Sequence, residues 1–251
     1  MMKKWITFDL DGTLMQNPFI GHVFPEIERK IYQQPDVKES LIKEHFARME
    51  AGRTVDAYDW DDMLRSYMEA TGIDCMIDVE ILVKKHCQAP AIYLLEECIP
   101  SVLKKLREKG YSLAAVTNGF LKYQLPVMDA LDLTQHFDEI ITPEKVGCAK
   151  PDMRIFDSLK STGEITAHVG DRIEHDVQCA NMLGIQSIFI YRALPDQYRT
   201  QNPMKRNAEP VIREAFLQKL RKETRKEFLS LPTDAIPNVV LFSIDELLLI
   251  F

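Results

Sequence analysis

SLAAVTNG, residues 112–119, is a compact apolar strand that runs straight into a polar turn, and the segments on either side repeat that rhythm. Upstream, Pro100 suits the first turn of a helix that closes at Gly110. Downstream, the pattern predicts a helix around 122–131, a strand at EIIT (139–142) and a helix starting just after Lys150-Pro151. TAHVG (166–170) reads as the next strand, followed by a helix to Leu183 with Gly184 as its stop, and then by the strand QSIFIY (186–191). Near the start, WITFDL (5–10) is a short apolar strand ending in an acidic turn, DGT. Strands that alternate with helices indicate an α/β fold with a doubly wound, mostly parallel sheet. Such sheets bind ligands beyond the carboxyl ends of their strands.

Two stretches depart from the alternation. From the first strand to about residue 92 the spacing is helical. Leu41, Ile42, His45, Phe46 and Met49 share one face of a helix over 39–50, and further helices are expected at about 57–71 and near 77–87. This predicts a main domain of residues 1–14 and 92–251 with a helical cap inserted at about 15–91. Residues 193–237 form a second insertion, a polar and proline-rich loop and then a helix over about 209–229, before a strand at NVVLFS and a short helix at 245–249. Within it, 211–228 is mildly basic and amphipathic; packing on its own domain is the default reading, and docking of a protein partner the alternative.

The 251 residues suffice to bury roughly 70–75% of the surface an unfolded chain exposes. Hydrophobic residues make up 46% and charged residues 27%, ordinary values for a soluble globular protein. A net charge of −7 offers no overall attraction for nucleic acid or anionic membrane, so neither is expected as a partner. An anionic substrate would then need a locally positive site. Cys75, Cys87, Cys98, Cys148 and Cys179 are odd in number and lack C-x-x-C spacing, which predicts reduced thiols in a cytoplasmic protein. The apolar stretch after MMKK is broken at Asp9, so no signal peptide is expected, and no apolar run approaches the ~20 residues of a membrane span.

Asp9, Thr117 and Asp171 each stand at or just beyond the C-terminal end of an expected strand, and Lys150 precedes a helix. Taken singly, such residues mark ordinary turns. Four useful types in chain order predict one site at the sheet edge. The order DLDGTL (9–14), VTNG (116–119), Lys150-Pro151 and GDRIEHD (170–176) resembles the four motifs of the haloacid dehalogenase superfamily, and the likeness covers about residues 1–192 and 238–251.

That resemblance implies a Rossmann-like core and a Mg²⁺-dependent phosphatase acting on a small phosphorylated metabolite, of the nucleotide or sugar phosphate class. Asp9 would be the nucleophile and form an aspartyl-phosphate. Asp11 would be general acid and then general base; its presence points away from the dehalogenating branch, where a halide leaves without a proton. Thr117, Asn118 and Lys150 would bind the phosphate. Mg²⁺ would be held by the side chains of Asp9 and Asp171 and the backbone carbonyl of Asp11, with Asp176 in support. The Lys150 ammonium is expected to face the phosphate and not an internal carboxylate. A phosphomutase, a phosphonate hydrolase using a cap amine, and a non-enzymatic binding module are the alternatives.

Weaker signals lie elsewhere. Asp56, Asp59, Asp61 and Asp62 lack the glycine and terminal glutamate of an EF-hand loop and read as a solvated helix start. Phe19, His22, Tyr58 and Trp60 could face a substrate, against the default that aromatic residues at helical spacing form core. His168 reads as a strand residue, and His175 lies inside the fourth motif without a clear part in catalysis.

Overall fold

A computed structural model describes residues 2–31 and 36–251. Its strands, in chain order, are β1 (Lys3–Phe8), β2 (Met15–Gln16), β3 (Tyr93–Leu94), β4 (Ser112–Val116), β5 (Glu139–Ile141), β6 (Gly163–Gly170), β7 (Gln186–Ile190) and β8 (Val239–Leu241). Six form one sheet in the order β5-β4-β1-β6-β7-β8, every pairing parallel. Side chains alternate across it as a period of two requires. Trp5 packs with Ala114, Val116 and Ile165 on one face. Ile6 and Phe8 pack with Leu113, Ala115 and Val169 on the other. Both faces are therefore dry, which is the doubly wound arrangement the apolar strands imply.

The cap helices are α1 (Phe24–Lys30), α2 (Val37–Glu50), α3 (Trp60–Thr71) and α4 (Val79–Lys85). They lie between β2 and β3, which pair antiparallel through Met15↔Leu94 and Gln16↔Tyr93 and so join the two chain crossings. Two-residue strands carry no periodicity, so neither was legible in the sequence. The Asp59 carboxylate caps α3 by accepting from the Asp62 backbone at 3.2 Å, and Gly72, at φ 68°, ends it. Beyond the cap come α5 (Ile99–Glu108), with Pro100 in its first turn, and α6 (Leu121–Ala130).

Several expectations shift in length. Pairing along the whole of β1 recruits residues 163–165 into β6, three more than TAHVG suggested. After Lys150-Pro151 only short turns form, Met153–Phe156 and Asp157–Lys160, because Ile155, Phe156 and Leu159 are drawn under the sheet. The helix after β6 opens as a wide π turn, Ile173–Gln178, which aims Asp176 inward before α-helix resumes at Cys179–Leu183. The insertion helix is Pro210–Thr224, shorter than expected, and stops where Arg225 takes φ 56°. Its Ile212, Phe216 and Leu220 pack with Phe189 and Val240, so packing on its own domain holds. The chain ends in a 3₁₀ turn, Ile244–Leu249. All five cysteines are free, and no helix among the described residues is long and apolar enough to cross a membrane.

Candidate active site

β1 lies between β4 and β6, so the loops leaving these three strands converge where the strand order reverses. Asp9 follows β1 and is pinned through its backbone N–H to the Val169 carbonyl at 2.8 Å. Thr117 follows β4 and is pinned to the Ile141 carbonyl at 3.1 Å; Asp171 follows β6. The DGT loop folds back at once: the backbone N–H groups of Thr13, Leu14 and Met15 all point to the Leu10 carbonyl, at 3.2, 2.8 and 3.0 Å. Gly12 makes that turn at φ 81°, and a Cβ on it would stand 2.9 Å from the Asp171 carboxyl. Arg192, just past β7, holds the turn by donating to the Gly12 and Thr13 carbonyls at 2.8 and 2.7 Å, and it also pairs with Glu96 beside β3.

The structure brings Asp9, Lys150 and Asp176 into one buried knot and corrects the expected surroundings of Lys150. Its Nζ donates to Asp9 Oδ1 at 2.8 Å and to Asp176 Oδ1 at 2.6 Å, both internal carboxylates. An ammonium only 1% exposed needs such partners, because its desolvation is otherwise uncompensated. Burial alone would lower the Lys150 pKa; Asp176 and Asp9 reverse this and keep it charged. Burial would likewise raise Asp176, but Lys150 and His168 hold it well below the usual carboxylate range. For Asp9 burial wins: with one shared ammonium and with Asp176 and Asp171 nearby, its pKa is raised. Lys150→Ala would strand two buried carboxylates. We expect it to destabilise the metal-free protein by about 3 kcal/mol or more, roughly 6–12 °C in Tm. A melting curve matching wild type would mean that the knot carries no net stability.

The other expected site residues gather here too. Asp11 is buried and its pKa is raised, by burial first, against an opposing hydrogen bond from the Gln124 amide. The Thr117 hydroxyl accepts from the Gly119 N–H at 3.2 Å, which leaves its proton free to donate. The Asn118 side chain is occupied. Its Oδ1 accepts from the Lys150 backbone at 2.8 Å, and its Nδ2 donates to the Lys150 carbonyl at 2.9 Å and to the Tyr58 hydroxyl at 2.8 Å. Asp176 Oδ2 accepts from the Arg172 backbone at 2.9 Å, so both of its oxygens are engaged.

A cavity of about 520 Å³ opens between core and cap and reaches Asp9, Asp11, Thr117 and Lys150. Phe19, Tyr58 and Trp60 line it, whereas His22 lies against His86 with ring centroids 5.4 Å apart. His175 also lines the cavity, and burial, helped by Arg172, keeps it neutral.

Asp9, Asp171 and Asp176 each place a carboxylate oxygen within 4.8 Å of the other two. An all-oxygen donor set of carboxylates suits a hard divalent cation such as Mg²⁺. With Asp176 engaged by Lys150, His168 and Arg172, the oxygens left to meet an ion belong to Asp9 and Asp171.

Three features escaped the sequence. His168 is not merely a strand residue: it stands opposite Thr7 in the β1–β6 register, shares a 2.8 Å hydrogen bond with that hydroxyl, and reaches Asp176 at 3.1 Å through Nε2. A histidine two places before Gly170-Asp171, on a strand with an apolar neighbour either side, was the available signal. Gln124 could be found only in three dimensions. The acidic cluster of the cap is a helix start, as expected, with Asp56 exposed but Asp61 and Asp62 only partly so. Asp61 Oδ2 accepts from Lys122 and Tyr123 of α6 at 2.7 and 2.9 Å, and Asp62 pairs with Arg48 at 2.8 Å.

A sequence model of the haloacid dehalogenase-like hydrolases matches residues 3–184, and the chain belongs to that family. It is 33% identical over 212 residues to the glyceraldehyde 3-phosphate phosphatase of Methanocaldococcus jannaschii, covering 76% of this chain and 86% of that protein. It is 29% identical over 143 residues to mouse haloacid dehalogenase-like hydrolase domain-containing protein 3, covering 54% of this chain and 57% of the relative. The chain spans about half the length of several curated relatives it matches. In fold it is similar to a HAD phosphatase from Thermococcus onnurineus, with a TM-score of 0.62 at 22% identity over 98% of this chain and 97% of the other.

Proposed function

We propose that the chain is a Mg²⁺-dependent phosphatase that hydrolyses a small phosphate monoester through an aspartyl-phosphate on Asp9. The observation that carries this reading is the pair of carboxyls two residues apart in unlike surroundings. Burial raises the pKa of both, but Asp9 has a lysine on one oxygen, whereas Asp11 accepts from the Gln124 amide on Oδ2 and leaves Oδ1 without a hydrogen-bond partner. These contacts, and not the direction of the pKa shifts, divide the roles: an ammonium favours the ionised form a nucleophile needs, and a buried carboxyl without one keeps the proton an acid needs.

In the first step an Asp9 oxygen attacks phosphorus, the bond to the leaving oxygen breaks, and that oxygen takes the Asp11 proton. In the second, water attacks the aspartyl-phosphate, Asp11 accepts the water's proton, and the bond from Asp9 to phosphorus breaks. The products are an alcohol and inorganic phosphate. Lys150 keeps one hydrogen beyond those given to Asp9 and Asp176; it, the Thr117 hydroxyl and the Asn118 backbone N–H are the donors for the phosphoryl oxygens. Asp176 and the Asn118 side chain hold Lys150 in place. Mg²⁺, held by the Asp9 and Asp171 side chains and the Asp11 carbonyl, would supply positive charge to a site crowded with anions.

The cap side of the cavity, with Phe19, Phe24 and Trp60, excludes water around a leaving group of metabolite size. The curated relatives include phosphatases of glyceraldehyde 3-phosphate and phosphoserine, which supports a small three-carbon or sugar-like ester. A phosphonate hydrolase gains no support: the lysine lining the cavity among the described residues is Lys150, already paired with two carboxylates. Phosphate release from a panel of metabolite esters with Mg²⁺ present tests the reading. No release above the Asp9→Asn background from any ester would refute it.

Asp171 gives a test that needs no substrate. Burial raises its pKa from 3.8 to about 6, Lys219 opposing and Asp176 and Glu223 assisting. A carboxyl that holds its proton more tightly when folded makes stability fall as pH rises from the unfolded value to the folded one. Asp171 should therefore subtract stability from the metal-free protein as pH rises from about 4 to about 6, a contribution read as the difference between the wild-type and Asp171→Ala pH profiles. Mg²⁺ should raise the wild-type Tm more at about pH 7 than at about pH 5, and hardly raise that of Asp171→Ala. Equal Mg²⁺ shifts in the two proteins would remove Asp171 from the metal site.

A further inference from the structure

Gln124 takes no part in the two steps above, yet it touches the residue that moves the proton. It sits in the first turn of α6, 3% exposed, and its Nε2 donates to Asp11 Oδ2 at 2.7 Å. The other oxygen of each side chain, Asp11 Oδ1 and Gln124 Oε1, is buried without a partner. Gly119 provides the space for this contact. A Cβ there would stand 2.0 Å from Gln124 Nε2, so any larger residue would push the amide off Asp11. The turn that carries Gln124 is anchored in turn by its neighbours, since Lys122 and Tyr123 bond Asp61 of the cap.

We propose that Gln124 is a positioning residue that makes Asp11 Oδ1 the proton-bearing oxygen. This rests on the reading of Asp11 as general acid and base. An N–H aimed at Oδ2 fixes the plane of the carboxyl and opposes an O–H on that same oxygen, so the proton resides on Oδ1. From Oδ1 it passes to the leaving oxygen as the bond to phosphorus breaks, and to Oδ1 a proton returns from water in the second step. Gln124 gains and loses none. A buried carboxyl without this contact could rotate and present its proton to the wall of the loop. The anchoring of α6 to Asp61 adds that a docked cap and an aimed acid depend on three consecutive residues, 122–124.

The test compares an unactivated alkyl phosphate with p-nitrophenyl phosphate, whose leaving group hardly needs a proton. For Gln124→Met, kcat on the alkyl ester should fall about 10- to 100-fold, the scale of loss when a catalytic group is misplaced. On the aryl ester kcat/KM, which reports the first step alone, should fall less than about threefold, because proton donation contributes little there, while kcat falls with the second step. The Kd for both esters should stay within about twofold, as Gln124 binds no substrate. In an Asp11→Asn background Gln124→Met should add nothing, since its effect passes through Asp11. Gly119→Ala, which keeps Gln124 but displaces it, should reproduce the selective loss and covers the case in which Gln124→Met folds poorly. Equal losses of kcat/KM on both esters, a further loss in the double mutant, or wild-type behaviour in a folded Gly119→Ala would each overturn the positioning role while leaving the acid–base reading intact. If Asp11→Asn itself shows no selectivity between esters, that reading fails first, and the role of Gln124 with it.

Discussion

Asp9→Asn is expected to lower phosphate release by about 10⁴-fold or more, the scale seen when a nucleophile is removed. The amide fills the same space but cannot attack phosphorus, and nothing else at the head of β1 can replace it. Stability should move little, and in the metal-free protein it should rise. Burial and the neighbouring Asp176 and Asp171 raise the Asp9 pKa, so ionised Asp9 weakens the fold at any pH above its unfolded value. Lys150 keeps Asp176 at 2.6 Å as counter-charge in the variant. A melting temperature at or above wild type with abolished turnover separates loss of chemistry from loss of structure. Near-normal release from a folded Asp9→Asn protein would end the covalent mechanism.

The sequence showed which residues meet, and the structure shows what each is bonded to. Asp9, Thr117 and Asp171 were legible because strand ends in a parallel sheet share one edge, and that rule needs only the order of strands and turns. Partnerships were not legible. Nothing in Lys150-Pro151 says that its ammonium turns toward Asp176, 26 residues on, instead of outward. The Thr7–His168 contact follows from the β1–β6 register, which shifts between Trp5 and Ile6 and so could not be set by counting. Nor does the motif say that the Asn118 amide spends itself on the Lys150 backbone.

The second insertion shows the same division between pattern and contact. Its amphipathic helix was visible in the spacing of Ile212, Phe216 and Leu220, but its reach was not. Lys219 comes within 3.7 Å of the Asp171 carboxylate, and Glu223 accepts from the Glu174 backbone at 3.0 Å. Arg225, where the helix stops, lies 3.7 Å from the ring centre of Phe46 in α2, a cation–π contact between this insertion and the cap. Residues 193–237 thus brace the Asp171–Glu174 loop from one side and α2 from the other. A strut of this kind leaves no motif, because each contact is a single side chain meeting a surface far away in sequence.

Asp11→Asn should discriminate between leaving groups more sharply than any other substitution. An alkoxide needs a proton as its bond to phosphorus breaks, and removing a positioned acid should cost about 10²–10⁴-fold in kcat on an alkyl phosphate. A nitrophenolate leaves without help, so formation of the aspartyl-phosphate from the aryl ester should be nearly as fast as in wild type. The second step still needs Asp11, now as the base that takes a proton from water. With the aryl ester the variant should therefore release one equivalent of phenolate in a burst and then turn over slowly, with phosphate held on Asp9. In the proposed mechanism one carboxyl does both tasks, entering the first step protonated and leaving it as a carboxylate, and burial, which raises the Asp11 pKa, favours the form in which it starts. Selectivity and burst share a single cause and should appear together. Equal loss on both esters without a burst would reduce Asp11 to a shaper of the loop between Asp9 and Gly12, and the source of the proton would have to be sought elsewhere in the cavity.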